Sequence, residues 1–150
     1  MPQKIKNVIT AVFTLLGLCL SNTCSSENYS NDIAIITNIN NDNLQISQSE
    51  AINIFMGRYR RFSDGSKAIP IDNDSIKNMF YMQLVNKSPS EIKAYWATLI
   101  FSGRTQPPKS MEDTSKVINT VKQEPQAIAY IPASLVNNKV KVLLILRERN

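Results

Sequence analysis

The chain has 150 residues with no histidine, a net charge of +5, and two cysteines that both lie within the first 24 residues. Histidine is absent, and the cysteines are confined to the start of the chain, so most zinc and copper sites, cysteine nucleophiles and histidine general bases are excluded. The carboxylates are scattered along the sequence. We therefore predict no enzyme activity, metal site or cofactor. The length suits one domain with a single core, and the mild positive charge favours anionic partners only weakly.

The first 26 residues have the order of a secretory signal peptide. Lys4 and Lys6 precede an apolar run over residues 8–20, and small polar residues follow it. The run has about thirteen residues whereas a membrane span requires roughly twenty, so a cleaved leader is favoured over a permanent anchor. We therefore predict a signal peptide over residues 1–26, a folded domain over residues 27–150, and a periplasmic or secreted location.

Both cysteines fall in or next to this apolar run. A mature chain that begins at Glu27 would contain neither Cys19 nor Cys24, and would therefore have no disulfide. Lipidation at one of them stays open as an alternative. It is the weaker one, because Leu18 and Thr23, which precede the two cysteines, are larger than the residues that such processing prefers.

The first half of the domain shows two strand signals and two helix signals. A β-branched run predicts a buried strand over residues 33–37, and Ser47 with Glu50 predicts a capping box for a helix that Gly57 ends. A second strand is predicted over residues 68–71, and the next helix is predicted to bury Ile76, Met79, Phe80 and Leu84.

The second half begins with the clearest helix start in the chain, Ser88-Pro89 followed by Glu91. A further helix is predicted over residues 110–124 and ends at Pro125. Strands are predicted over residues 127–131 and 140–146, and the second is placed in the sheet interior because it is long and apolar. The inner face of the first helix is predicted to hold Ile92, Tyr95, Trp96, Leu99 and Ile100.

Strands that alternate with helices of this length predict an α/β fold in which helices flank a mixed sheet. The order of short motifs along the chain also resembles the phosphate-binding proteins of phosphate ABC transporters, in particular their short, single-lobe members. The resemblance covers about residues 33–146 and implies one lobe of a periplasmic-binding-protein-like fold. The motifs are IFMGR at 54–58, FSDG at 62–65, IP at 69–70, SIKNMF at 75–80, KSP at 87–89, AYW at 94–96, FSG at 101–103, PP at 107–108 and AIAYI at 127–131.

The same resemblance implies where an anion would bind. In that family a glycine-serine loop at a helix N-terminus offers N–H groups and the helix dipole to phosphate, with an arginine nearby. The equivalent loop here begins at Asp72, so the resemblance implies a ligand-binding set of Asn73, Ser75, Lys77 and Arg58.

Two carboxylates stand in that loop where the family has neutral residues or glycine. At about 4 Å, a like charge costs an anion on the order of a few kcal/mol, so Asp72 and Asp74 are expected to weaken binding. A plainer interpretation is that the loop only caps the following helix.

Two functions from different classes follow. The first is an exported solute-binding module for phosphate or a similar oxyanion, linked to uptake or sensing, with a membrane transporter or sensor component as partner and no nucleic acid. The alternative is an exported structural or protein-interaction module that keeps the fold and has lost the anion site. The basic stretch Arg58 to Arg61 with Lys67 is either a rim that attracts anions or a solvated loop face.

We expect the mature chain to begin between Asn22 and Glu27, because the small polar segment directly follows the apolar run. Mass spectrometry of the exported protein measures this. An exported chain that still carries Met1 would contradict the cleaved-leader interpretation.

Overall fold

The computed structural model describes residues 31–148, so the predicted signal peptide lies outside the described residues. Within this range five strands and four helices follow one another. They are β1 (Ile33–Asn38), α1 (Gln48–Phe55), β2 (Ile69–Asn73), α2 (Lys77–Val85), α3 (Pro89–Phe101), β3 (Lys109–Met111), α4 (Thr114–Gln123), β4 (Ala127–Pro132) and β5 (Val140–Leu146), with a 3-10 turn at Ala133–Leu135 before β5.

The strands form one mixed sheet in the order β3-β2-β4-β1-β5. β2 runs parallel to β3 and β4, whereas β1 runs antiparallel to both of its neighbours, β4 and β5. The predicted α/β architecture, a mixed sheet flanked by helices, is confirmed.

Each face of the sheet carries its own core. In β1, Ile33 and Ile35 contact the core on the side of α1, α2 and α3, whereas Ala34 and Ile36 contact the core on the side of α4. All six residues of β1 are buried. A strand covered on both faces reads as a continuous apolar run, and this is why the sequence signal for β1 was clear.

Two helix starts show how local signals combine with long-range contacts. At α3 the capping box is complete, because Ser88 accepts from the N–H of Glu91 and Glu91 accepts from the N–H of Ser88. At α1, Ser47 caps the N–H of Glu50 as predicted, but the Glu50 carboxylate accepts the N–H of Ser63 at 2.7 Å instead of closing the box. That carboxylate ties the helix to the following loop.

The helix predicted over residues 110–124 begins later than expected. Ser110 and Met111 belong to β3, where they pair in parallel register with Asp72 and Asn73 of β2. Asp113 then caps α4 by accepting the N–H of Lys116 at 2.9 Å. The prediction was wrong for residues 110–113 because strand pairing with β2 overrides the weak local preference of this segment.

The placement of β5 in the sheet interior was also wrong. β5 is an edge strand that pairs with β1 alone, and most of its residues are only partly buried. The apolar run does not distinguish an edge from an interior position here, because β5 also packs against both cores, through Leu146 on one face and Val140 on the other.

Two inner-face assignments differ in the structure. Met79 of α2 is 38% exposed, whereas Tyr81, which was not assigned to the core, is 1% exposed. Ile100 of α3 is 42% exposed while Ile92 and Trp96 are buried as predicted. No helix among residues 31–148 is long and apolar enough to cross a membrane.

Gly57 ends the first helical segment in a conformation that also makes room for the core. Its φ is +71°, and a Cβ atom placed there would lie 2.9 Å from Cη2 of Trp96 and 3.0 Å from the methyl group of Thr105. Gly65 has a φ of +85° but would meet nothing within 4 Å. The two glycines thus share the backbone constraint and differ in packing.

We expect Gly57→Ala to lower the free energy of unfolding by about 2–4 kcal/mol, since it adds overpacking against Trp96 to the left-handed strain. Gly65→Ala is the matched control and should cost only about 1–2 kcal/mol, the strain alone. Urea denaturation measures both. Equal losses would show that the Trp96 contact is not a packing constraint.

Candidate functional site

The candidate site lies where β2 ends and α2 begins. Asp72 and Asn73 are the last residues of β2, and residues 74–76, here called the β2–α2 loop, lead to Lys77 at the start of α2. Because β2, β3 and β4 run parallel, their carboxyl ends meet at this edge, the place where ligands of open α/β sheets bind.

Asn73 holds the β2–α2 loop in place. Its Oδ1 accepts from the backbone N–H and the hydroxyl of Ser75, at 3.3 and 2.6 Å, and its Nδ2 donates to Oγ1 of Thr114 at 3.0 Å and to the carbonyl of Tyr130 at 3.4 Å. Asn73 is fully buried. Its amide therefore orders the loop, and in this structure the Ser75 hydroxyl donates to Asn73.

The first turn of α2 has no side-chain cap. The N-cap residue is Ile76, which has no hydrogen-bonding side chain, and the carboxylate of neighbouring Asp72 turns away into the core. The first N–H groups of a helix have no partner within the helix, so here they are left without the acceptor that Ser, Thr or Asp usually supplies. The plainer interpretation, that the loop side chains only cap the following helix, was therefore wrong, because no side chain caps α2.

The Asp72 carboxylate lies at the centre of a buried polar cluster. Its Oδ1 accepts from the phenol groups of Tyr81 at 3.0 Å and Tyr130 at 3.1 Å, and its Oδ2 is 2.7 Å from Nζ of Lys77. Asp72 has no exposed surface. We call Asp72, Lys77, Tyr81 and Tyr130 the Asp72 cluster.

Burial dominates the electrostatics of the Asp72 cluster. Desolvation raises the pKa of Asp72 above its ordinary value of 3.8, and Lys77 and the two phenols oppose this shift without cancelling it. Burial and the neighbouring Asp72 charge also raise the pKa of Tyr81 and of Tyr130. Both phenols therefore stay protonated and act as hydrogen-bond donors.

Lys77 connects the buried cluster to the surface. Besides its ion pair with Asp72, its Nζ lies 4.0 Å from Oδ1 of Asp74 and donates to the hydroxyl of Ser110 at 3.3 Å. The side chain is 30% exposed. An anion at the start of α2 could thus reach the ammonium group, but it would share that charge with a resident carboxylate.

The structure brings together three of the four predicted ligand-binding residues. Asn73, Ser75 and Lys77 lie within the same turn. Nη1 of Arg58 instead lies 3.4 Å from Oδ1 of Asn53 near the end of α1. Of the two carboxylates expected to repel an anion, Asp72 is buried and bound to its neighbours, so only Asp74, in the β2–α2 loop, is exposed.

Three residues near the site were missed by the sequence analysis. Tyr81 and Tyr130 were assigned to no site, and Arg60 was grouped with the basic rim. The Arg60 guanidinium donates to the carbonyl of Gln106 and lies near Tyr81, and burial lowers the pKa of Arg60. The spacing of Lys77 and Tyr81, four residues apart on one helix face, is the signal that could have linked Tyr81 to the loop.

No protein-family model matches the chain, and no curated protein sequence matches it. Solved structures with the same fold are found. One is a candidate phosphate ABC transporter substrate-binding protein from Clostridium perfringens, solved with bound phosphate. It has a TM-score of 0.58 and 17% identity, and the match covers 77% of this chain and 45% of that protein.

Two further structures give the same result. An ABC-type phosphate transport receptor from Vibrio cholerae has a TM-score of 0.59 and 14% identity over 77% of this chain and 46% of its own. A candidate phosphate-binding protein from Planctomyces limnophilus has a TM-score of 0.53 and 11% identity over 77% of this chain and 41% of its own. The chain therefore spans less than half the length of each of these binding proteins and shares the fold of that part.

We expect the stability of the unmodified protein relative to Asp72→Asn to fall as pH rises above 3.8. The pKa of Asp72 is raised in the folded state, so the folded protein keeps a proton that the unfolded chain releases, and the slope of stability with pH is negative there. The contribution of this carboxyl is fully present below 3.8 and is lost as pH rises through the folded-state value.

Urea denaturation of both proteins over a pH series measures the difference. Asp64→Asn is a control for which stability should depend on pH in the opposite direction. Hydrogen bonds from Ser66 lower the pKa of the exposed Asp64 carboxyl, so its contribution to stability is lost when the pH falls. A difference for Asp72→Asn that does not depend on pH, or that rises with pH, would contradict the assignment.

Proposed function

We propose that the chain is an exported solute-binding module for phosphate or a similar oxyanion, linked to uptake or sensing, and that an oxyanion binds at the start of α2. The observation that supports this most is the pairing of an uncapped helix start with a partly exposed lysine ammonium group at the same turn. Free backbone N–H groups, the positive end of the helix dipole and a nearby cation together favour a tetrahedral anion.

On this proposal the ligand-binding residues divide into two roles. Lys77 supplies the charge and the first turn of α2 supplies backbone donors, whereas Asn73 positions the β2–α2 loop through its bonds to Ser75. The Ser75 hydroxyl contacts an anion only if it rotates away from Asn73. Arg58 takes part only if its segment moves from its present contact with Asn53.

The Asp72 cluster sets the strength of such binding. Since Asp72 already neutralises much of the Lys77 charge, the anion gains less from this ammonium group than from an unpaired lysine. Asp74, which is exposed and 4.0 Å from Nζ of Lys77, opposes the anion further. We therefore propose modest affinity for the isolated chain.

The neighbours with this fold support a role beside a partner. These neighbours are named as phosphate-binding or phosphate-transport proteins. A site on one lobe leaves part of the anion in water, so we propose that a membrane transporter or sensor component covers it. The leader-like N-terminal sequence supports a periplasmic or secreted location for this encounter.

Isothermal titration calorimetry with phosphate and with sulfate tests the proposal. We expect saturable phosphate binding that Lys77→Gln weakens about tenfold, since a charge-assisted contact contributes roughly 1.5–3 kcal/mol. Asp74→Asn should tighten binding a few-fold because it removes a like charge near the anion.

Lys122→Gln is the matched control, since Lys122 is an exposed lysine in the last turn of α4, and it should leave the affinity unchanged. Arg58→Gln tests the fourth predicted residue in the same assay. If neither phosphate nor sulfate gives a saturable signal, the solute-binding proposal fails, and a protein-interaction module that has lost its anion site becomes the better explanation.

A further inference from the structure

A groove of about 380 Å³ opens beside the candidate site, between α2 and α3. Lys77 and Tyr81 line it from α2, and Trp96, Ala97 and Ile100 line it from α3, with Pro107 at its edge. We call it the α2–α3 groove. Lys77, the residue proposed to hold the oxyanion, is one of its lining residues, so the groove adjoins the candidate site.

The α3 wall of the groove is formed by an apolar stripe on that helix, and the stripe includes residues that the core does not bury. Ile92 and Trp96 on this helix are each 6% exposed and belong to the core. Ala97 and Ile100, next to them on the helix surface, line the groove together with them, and Ile100 remains 42% exposed. The stripe therefore leaves apolar surface uncovered beside the anion site.

The charged groups that line the groove are both cations. Lys77 and Lys93 are among its lining residues, and no aspartate or glutamate is. The ammonium group of Lys77 is paired with Asp72, whereas the ammonium group of Lys93 makes no ion pair or hydrogen bond with any residue in the described range 31–148. The groove thus combines apolar walls with an unbalanced positive charge.

We propose that the α2–α3 groove binds the apolar part of a small phosphomonoester whose phosphoryl group occupies the start of α2. This choice of ligand rests on the proposed oxyanion function. The groove volume lies in the range of about 300–1,000 Å³ that is usual for small-molecule sites. Inorganic phosphate has no apolar surface to bury against Ala97 and Ile100, whereas an ester with a compact ring does.

Charge complementarity favours this occupant over an uncharged apolar molecule. A phosphomonoester carries its negative charge at one end, where Lys77 and the α2 N–H groups lie, and Lys93 on the groove wall adds a second cation. An uncharged apolar ligand would leave both ammonium groups without a new partner.

Calorimetric titration of the purified protein with phenyl phosphate and with methyl phosphate tests the proposal. The two esters have the same phosphoryl head group and differ in the apolar group. We expect phenyl phosphate to bind about tenfold more tightly or better. Trp96 is the only tryptophan of the chain and lines the groove, so a saturable change in its fluorescence with phenyl phosphate should accompany binding.

Two leucine substitutions on α3 distinguish binding in the groove from general effects of a larger side chain on this helix. Ala97→Leu fills the groove and should reduce the preference for phenyl over methyl phosphate to about twofold or less, since the ring loses its place. Ala94→Leu is the matched control, because Ala94 is exposed on α3 and does not line the groove, and it should retain the preference.

The outcomes separate the two proposals. If inorganic phosphate binds but both esters bind with equal affinity, the groove inference is overturned and the oxyanion site stands. If neither phosphate nor either ester binds, both are overturned. A preference for phenyl phosphate that survives Ala97→Leu would also overturn the inference, because the ring would then bind elsewhere.

Discussion

The arrangement of this lobe depends on the hydrogen bonds and the ion pair that the buried carboxylate of Asp72 forms. This carboxylate lies at the end of β2 without exposed surface, and its partners come from α2 and from β4. A buried carboxylate that loses its partners costs several kcal/mol, so β2, α2 and β4 must keep their relative positions. Phe80 stacks on Tyr130 with ring centroids 3.5 Å apart and holds one of the donors in place.

This structural requirement also shapes the candidate site. Because Lys77 must reach back to Asp72, α2 starts within a few residues of the end of β2, and the buried amide of Asn73 sets the turn between them. Ile76 occupies the N-cap, where an acceptor would otherwise cap the helix. The surface that we propose for an anion is therefore a consequence of how one buried charge is neutralised. On the same proposal, the ion pair between Lys77 and Asp72 limits how strongly Lys77 attracts a ligand.

The sequence predicted the elements whose signals are local. β1 and β4 are continuous apolar runs, and the Ser88 box starts α3 as expected. It could not predict β3, whose three residues are a strand only because β2 lies beside them. At the site, the positions of Asn73, Ser75 and Lys77 were foreseeable from the motif order. The inward turn of Asp72 was not, because one of its donors, Tyr130, is 58 residues away along the chain.

The pairing of β1 has a consequence for when the lobe can form. Among the strands of residues 31–148, β1 is the first, and both of its neighbours, β4 and β5, are the last two. β1 therefore finds no partner in the sheet until β4 has been synthesised, and contacts so distant in sequence slow folding.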